Sequence, residues 1–141
     1  MKSRFYLCCL LQGFPLIFAG VVHAQVVVVA GKHVGEMSKE QVADIFLGKS
    51  TVIPGGGTAA PVDLPESSPL REEFYSRVTG KTAAQVKSLW SKLAFTGKGT
   101  LPREVGSSSE VKKLVAGTPG AIGYIEKSAV DDSVKPVFAA P

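Results

Sequence analysis

Leu64-Pro65-Glu66-Ser67-Ser68-Pro69-Leu70-Arg71-Glu72-Glu73-Phe74-Tyr75 is the stretch on which the fold turns, because an extended segment ends within it and a helix begins. Pro69 suits the first helical position: its φ is already helical and its missing N–H is one the helix leaves unpaired anyway. Ser68 is then the N-cap. Leu70, Phe74 and Val78 follow at four-residue spacing, Tyr75 widens that inward face, and Thr79-Gly80 ends the helix. Free amides and the positive end of the helix dipole favour an anion at such a terminus, and serine hydroxyls add donors. A second cluster, Gly106-Ser107-Ser108-Ser109-Glu110-Val111, opens a later helix with Val111, Leu114 and Val115 facing inward. If the two ends converge, they form an oxyanion pocket.

On the N-terminal side, Gln25-Val26-Val27-Val28-Val29-Ala30 is a continuous β-branched run, the pattern of a strand buried on both faces. Ser38-Lys39-Glu40-Gln41 is a capping box that starts a short helix with Val42, Ile45 and Phe46 inward, closed by Leu47-Gly48. Thr51-Val52-Ile53 reads as a short strand, Pro54 to Gly57 as a turn, and Pro61 to Leu64 as a second extended piece. On the C-terminal side a helix from about Thr82 carries Ala83, Val86, Leu89, Trp90 and Leu93 on one stripe, so Trp90 belongs to the core. Phe95 to Gly99 reads as a loop and Leu101 to Val105 as extended or irregular. Ala121 to Ile125 is a strand in which Gly123 admits a close backbone or bound group, and Val134 to Phe138 is an edge strand because of Pro136. Strands alternate with helices, which predicts a three-layer α/β fold with a mixed, largely parallel sheet flanked by helices.

The first residues stand apart. Lys2 and Arg4 precede a mostly apolar run from Phe5 to Val21, and Val22-His23-Ala24 offers small residues for cleavage, so residues 1–24 read as a signal peptide and Gln25 as the mature N-terminus. Gly13-Phe14-Pro15 interrupts the run, which favours cleavage over stable membrane insertion. Cys8 and Cys9 both lie in this segment, leaving 25–141 without cysteine and dependent on its core. The 141 residues less these 24 leave 117, the size of one domain. The 16 Lys and Arg less Lys2 and Arg4 leave 14 against 12 acidic residues, spread along the chain, which argues against nucleic acid or a polybasic membrane patch.

Several apparent motifs fail on their own chemistry. Gly48-Lys49-Ser50 imitates the end of a P-loop but follows a helix instead of opening one, and Ala43 stands where the earlier glycine belongs. His33 and Glu36 are two groups where zinc asks for three or four, so no metal or cofactor is expected. His33, Asp63 and a serine could be drawn as a triad, yet there is no nucleophile elbow, and the chain reads as a non-enzyme. The serine clusters fare better. Capping needs one hydroxyl, while Ser67-Ser68 and Ser107-Ser108-Ser109 hold more than the helices use, and Arg71 on the first turn adds a charged fork if it faces the cap. Its other option is a surface pair with Glu72, Glu73 or Tyr75.

Ser38 to Lys49, with Ile45-Phe46-Leu47-Gly48-Lys49, and Gly106 to Tyr124, ending in Pro119-Gly120-Ala121-Ile122-Gly123-Tyr124, resemble the substrate-binding proteins of phosphate ABC transporters. That resemblance implies a type II periplasmic binding-protein fold, of which 25–141 would form one lobe, in the bacterial periplasm. It also implies phosphate or a similar oxyanion held by hydroxyls and helix N-termini, at Ser67 and Ser68 on the central helix and at Ser107, Ser108 and Ser109 on the later one. With Arg71 these are the expected ligand-binding residues. Asp63 and Glu66 stand beside the first cluster, and two carboxylates oppose a dianion unless they accept its proton or point away. The alternative is a protein-interaction or self-association module on a lone lobe whose cleft face is exposed.

Overall fold

The computed structural model describes residues 25–55, 57–97 and 101–141, and the expected signal peptide lies outside them. Five strands form one sheet in the order β3-β2-β4-β1-β5. They are β1 (Val26–Ala30), β2 (Ala60–Asp63), β3 (Arg103–Glu104), β4 (Ala121–Glu126) and β5 (Lys135–Ala139). The helices are α1 (Lys39–Phe46), α2 (Pro69–Thr79), α3 (Ala83–Phe95) and α4 (Ser108–Gly117). β2 pairs in parallel with β3 and with β4, whereas β1 is antiparallel to both β4 and β5. Four strands therefore run one way and β1 alone runs against them, the mixed sheet expected from the alternation of elements. All five residues of β1 are buried, because a strand flanked on both edges and covered on both faces has no side to spare for polar residues.

Side chains alternate across β4, and the two faces have different partners. Tyr124 stacks on Phe74 of α2, with ring centroids 4.0 Å apart and planes 6° from parallel, and Phe46 of α1 meets Phe74 edge-on at 4.8 Å. Gly123 points the other way, where a Cβ would stand 2.5 Å from Cγ1 of Val111 on α4. Glycine at this position is what lets α4 lie against the sheet. The close group is a helix side chain, which corrects the expectation of a backbone or bound group there. Helices α1 and α2, with α3 behind them, thus cover one face and α4 the other. Chain direction explains the split: β2 to β3 steps outward across the sheet and β3 to β4 steps back, so crossovers of one hand must use opposite faces.

Local chemistry sets the helix boundaries. Ser38 Oγ accepts from the Gln41 amide at 3.2 Å while Gln41 Oε1 accepts from the Ser38 amide at 2.9 Å. Thr82 and Gln85 form the same box before α3, at 3.1 and 2.9 Å. Gly80 ends α2 in the left-handed region, with φ +70°. Trp90 is buried as expected, and its indole N–H donates to the Phe46 carbonyl at 3.0 Å, fixing α3 to the end of α1. Thr51 to Ile53 is not a strand: it contributes a single antiparallel bridge, Val52 to Thr58, because the glycine turn that follows brings the chain back at once. The predicted loop from Phe95 starts as the last residue of α3, while Lys98 and Gly99 lie outside the described residues. β5 is an edge strand with a register shift between Val28 and Val29 opposite it, where Pro136 pairs without a ladder N–H to give. No helix among the described residues is long and apolar enough to cross a membrane.

Candidate functional site

Because β2 and β3 are parallel, the chain leaves both at the same edge of the sheet, toward α2 on one face and α4 on the other. That divergence between neighbouring strands is where open α/β sheets form a crevice. Here it has a volume of about 520 Å³ and lies between Pro65, after β2, and Val105 and Gly106, after β3. Arg103 and Lys113 contribute two cations to its wall, with Glu104 and Glu110 as counter-charges. The Gly106 amide donates to Glu110 Oε2 at 2.6 Å, which spends one carboxylate oxygen on the loop itself.

The expected site residues divide by what their hydroxyls do. Ser107 caps α4, accepting from the Glu110 amide at 3.3 Å, and Ser108 donates to Glu126 Oε2 at 2.6 Å. Ser109 is exposed on the first turn of α4. Ser68 is the N-cap of α2 by backbone geometry, yet its side chain makes no capping bond, and Ser67 beside it is exposed. The two clusters share an edge of the sheet but begin helices on opposite faces, and no hydrogen bond among the described residues joins them. Arg71 does not form a surface pair. It is 6% exposed, its Nη2 lies 3.5 Å from Asp63 Oδ2, and its guanidinium carbon is 5.7 Å from the centre of the Tyr75 ring.

Asp63 is the polar centre that the sequence reading did not assemble. It ends β2 at 4% exposure and accepts from the Leu64 amide at 2.8 Å, from the Tyr75 hydroxyl at 2.7 Å and from the Tyr124 hydroxyl. Burial first, and the Asp63 charge second, push both phenols well above the usual tyrosine range, so they stay protonated as donors. Asp63 therefore turns away from the crevice. Glu66 is held too: its Oε1 lies 2.6 Å from Lys87 Nζ, and that hydrogen bond keeps its carboxyl below the usual range. The awkward charges beside the serines are thus neutralised by protein partners. The available signal was the pairing of a charged residue at a strand end with tyrosines on two inward faces, but only the tertiary register identifies them as partners. Arg103 and Lys113 gave no signal, since the pocket between them exists only once β3 lies beside β2.

No group of three or more potential metal ligands occurs among the described residues. Comparison with known proteins places the fold. No protein-family model matches the sequence, and no curated protein matches it. Solved structures do. A protein from Clostridium perfringens assigned as a phosphate ABC transporter substrate-binding protein, with bound phosphate, is 27% identical with a TM-score of 0.63, over 80% of this chain and 44% of that one. An ABC-type phosphate transport receptor from Vibrio cholerae is 22% identical with a TM-score of 0.62, over 80% and 45%. PstS from Borrelia burgdorferi is 16% identical with a TM-score of 0.58, over 79% and 45%. The chain spans less than half the length of these proteins. Its neighbours in structure are thus the substrate-binding proteins of phosphate ABC transporters, whose α/β fold it reproduces over the extent of a single lobe.

Proposed function

We propose that this protein is an exported, non-enzymatic binding protein that takes phosphate or a similar oxyanion at the sheet edge where α2 and α4 begin, in connection with phosphate transport. The observation that carries the reading is that parallel pairing of β2 and β3 opens two helix N-termini onto one edge, beside a crevice with two cations. Ser67, Ser68 and Ser109 have hydroxyls with no protein partner among the described residues, Ser107 and Ser108 brace the α4 end, and Arg71 lies behind the α2 end. Arg103 and Lys113 supply short-range cationic donors on a wall they share with Glu104 and Glu110. The Clostridium perfringens neighbour, solved with phosphate, supports the ligand class. The basic start, apolar run and small-residue site of 1–24 support export to the periplasm. Isothermal titration with phosphate and sulfate tests the reading: heat that disappears in Ser68→Ala/Ser109→Ala or Arg103→Ala/Lys113→Ala supports it. Absence of heat at millimolar anion, with the protein folded, sinks it.

A second reading rests on Phe95, a large apolar side chain 94% exposed at the end of α3. Its phenyl ring adds apolar area that a partner or a second copy would remove from water. Sedimentation of the wild type against Phe95→Ser decides it, a monomer at all concentrations being the contrary result.

A further inference from the structure

A second cavity, of about 300 Å³, lies on the α2 and α3 side of the sheet and shares the Glu104 wall with the crevice proposed for oxyanions. Arg71 forms part of its lining. The guanidinium there is in an unusual state. It is buried, yet its Nε has no acceptor among the described residues and its Nη2 reaches Asp63 only at 3.5 Å. Asp63 meanwhile receives three donors without it, from Leu64, Tyr75 and Tyr124. Asp63 thus balances the charge of Arg71 through Nη2 but leaves the buried Nε donor without an acceptor. A guanidinium fork matches a carboxylate better than a point acceptor does.

The other walls narrow the ligand further. Trp90 and Leu101 provide an apolar side, suited to a hydrocarbon body. Glu104 stands on the same cavity without an ion-pair partner among the described residues, while Glu66 and Lys87 neutralise each other at 2.6 Å. With Asp63, Glu66 and Glu104 against Arg71 and Lys87, the cavity carries one net negative charge. A bare carboxylate would raise that to two, whereas a zwitterion leaves it unchanged and gives Glu104 an ammonium. We propose that this cavity binds a small amino-acid zwitterion with an apolar side chain, its carboxylate on Arg71, its ammonium on Glu104 and its body against Trp90 and Leu101.

Titration with L-phenylalanine, phenylacetate and phenethylamine, by calorimetry and by the 15N-bound proton of Arg71 Nε, tests this assignment. L-Phenylalanine is expected to give heat and move the Nε–H resonance, with each single-charge analogue about tenfold weaker or worse, the loss of one charge-assisted hydrogen bond. Glu104→Gln, at an exposed position, should erase the preference for L-phenylalanine over phenylacetate, and Arg71→Lys should weaken both carboxylates while keeping the charge beside Asp63. Arg103→Ala/Lys113→Ala, which removes cations that line only the oxyanion crevice, should leave the L-phenylalanine heat in place, which separates this site from the sheet edge. Equal binding of phenylacetate and L-phenylalanine, an unmoved Nε–H signal, or no heat in a protein that does bind phosphate would each overturn the assignment.

Discussion

Tyr75 donates its hydroxyl to Asp63 Oδ2 at 2.7 Å, joining the first turns of α2 to the last residue of β2 at the sheet edge. The bond holds the helix whose N-terminus the proposed function uses. Tyr75→Phe removes one donor to a buried carboxylate and should cost about 1–3 kcal/mol. Asp63→Ala should cost more, about 3–5 kcal/mol, because it strands the buried Arg71 charge. Urea unfolding of both variants checks the order, and equal costs would show that Arg71 draws nothing from Asp63.

The same contacts fix a dependence on alkaline pH. Tyr75 and Tyr124 have folded pKa values raised above the ordinary phenol value of 10.0, chiefly by burial. Their contribution to stability is complete below that unfolded value and is lost progressively as pH rises above it. In a chain beginning at Gln25 these are the two tyrosines, so tyrosinate absorbance should appear only together with loss of circular dichroism. Ionisation at pH 10 in the folded state would contradict the buried network.

Asp131 has the opposite behaviour at the surface. Its Oδ2 accepts from Lys112 Nζ at 2.8 Å and its Oδ1 from the Ser133 amide at 2.9 Å, and the Lys112 bond first, then Ser133, lowers its pKa below the ordinary aspartate value of 3.8. The stability linked to this group is therefore present above that value and is lost as pH falls through the lower folded one. Carboxyl NMR titration should find Asp131 ionised when other exposed aspartates have protonated, and Lys112→Ala should move it back upward.

Gly123→Ala places a methyl 2.5 Å from Val111 Cγ1 and must push α4 off the sheet. Overpacking of this kind costs about 1–3 kcal/mol. Val111→Ala in the same chain should return part of the loss, a coupling that thermal unfolding of the double-mutant cycle measures.

The three caps predict a contrast among serines. Ser38→Ala and Ser107→Ala remove observed side-chain caps and should each cost about 1 kcal/mol. Ser68→Ala removes no capping bond and should leave thermal stability nearly unchanged, its effect appearing instead in phosphate affinity. A full capping cost at Ser68 would make it an ordinary helix start.

The sequence by itself determined most of the elements and their inward faces, though not the lone bridge at Val52 or the last residue of α3. Periodicity placed Val42, Ile45 and Phe46 on α1, the serine, threonine and proline signals placed the helix starts, and the unbroken valine run identified a strand covered on both sides. These are local choices, fixed by backbone sterics and by the need of each helix end for a partner. The strings Ile45 to Lys49 and Pro119 to Tyr124, which resemble those of phosphate-transport binding proteins, also pointed to the fold. What only the tertiary structure decided was which chemistry met across the chain. Arg71 could have faced water on α2, but β2 ends beneath that helix and Asp63 draws it inward. Tyr124 reaches Asp63 from 61 residues away because β4 lies beside β2. The parallel pairing of β2 with β3 set both serine clusters on one edge, and the reversal of direction after β3 sent their helices to opposite faces. Strand order is a non-local choice, made by packing the whole core, and no spacing within a single segment encodes it.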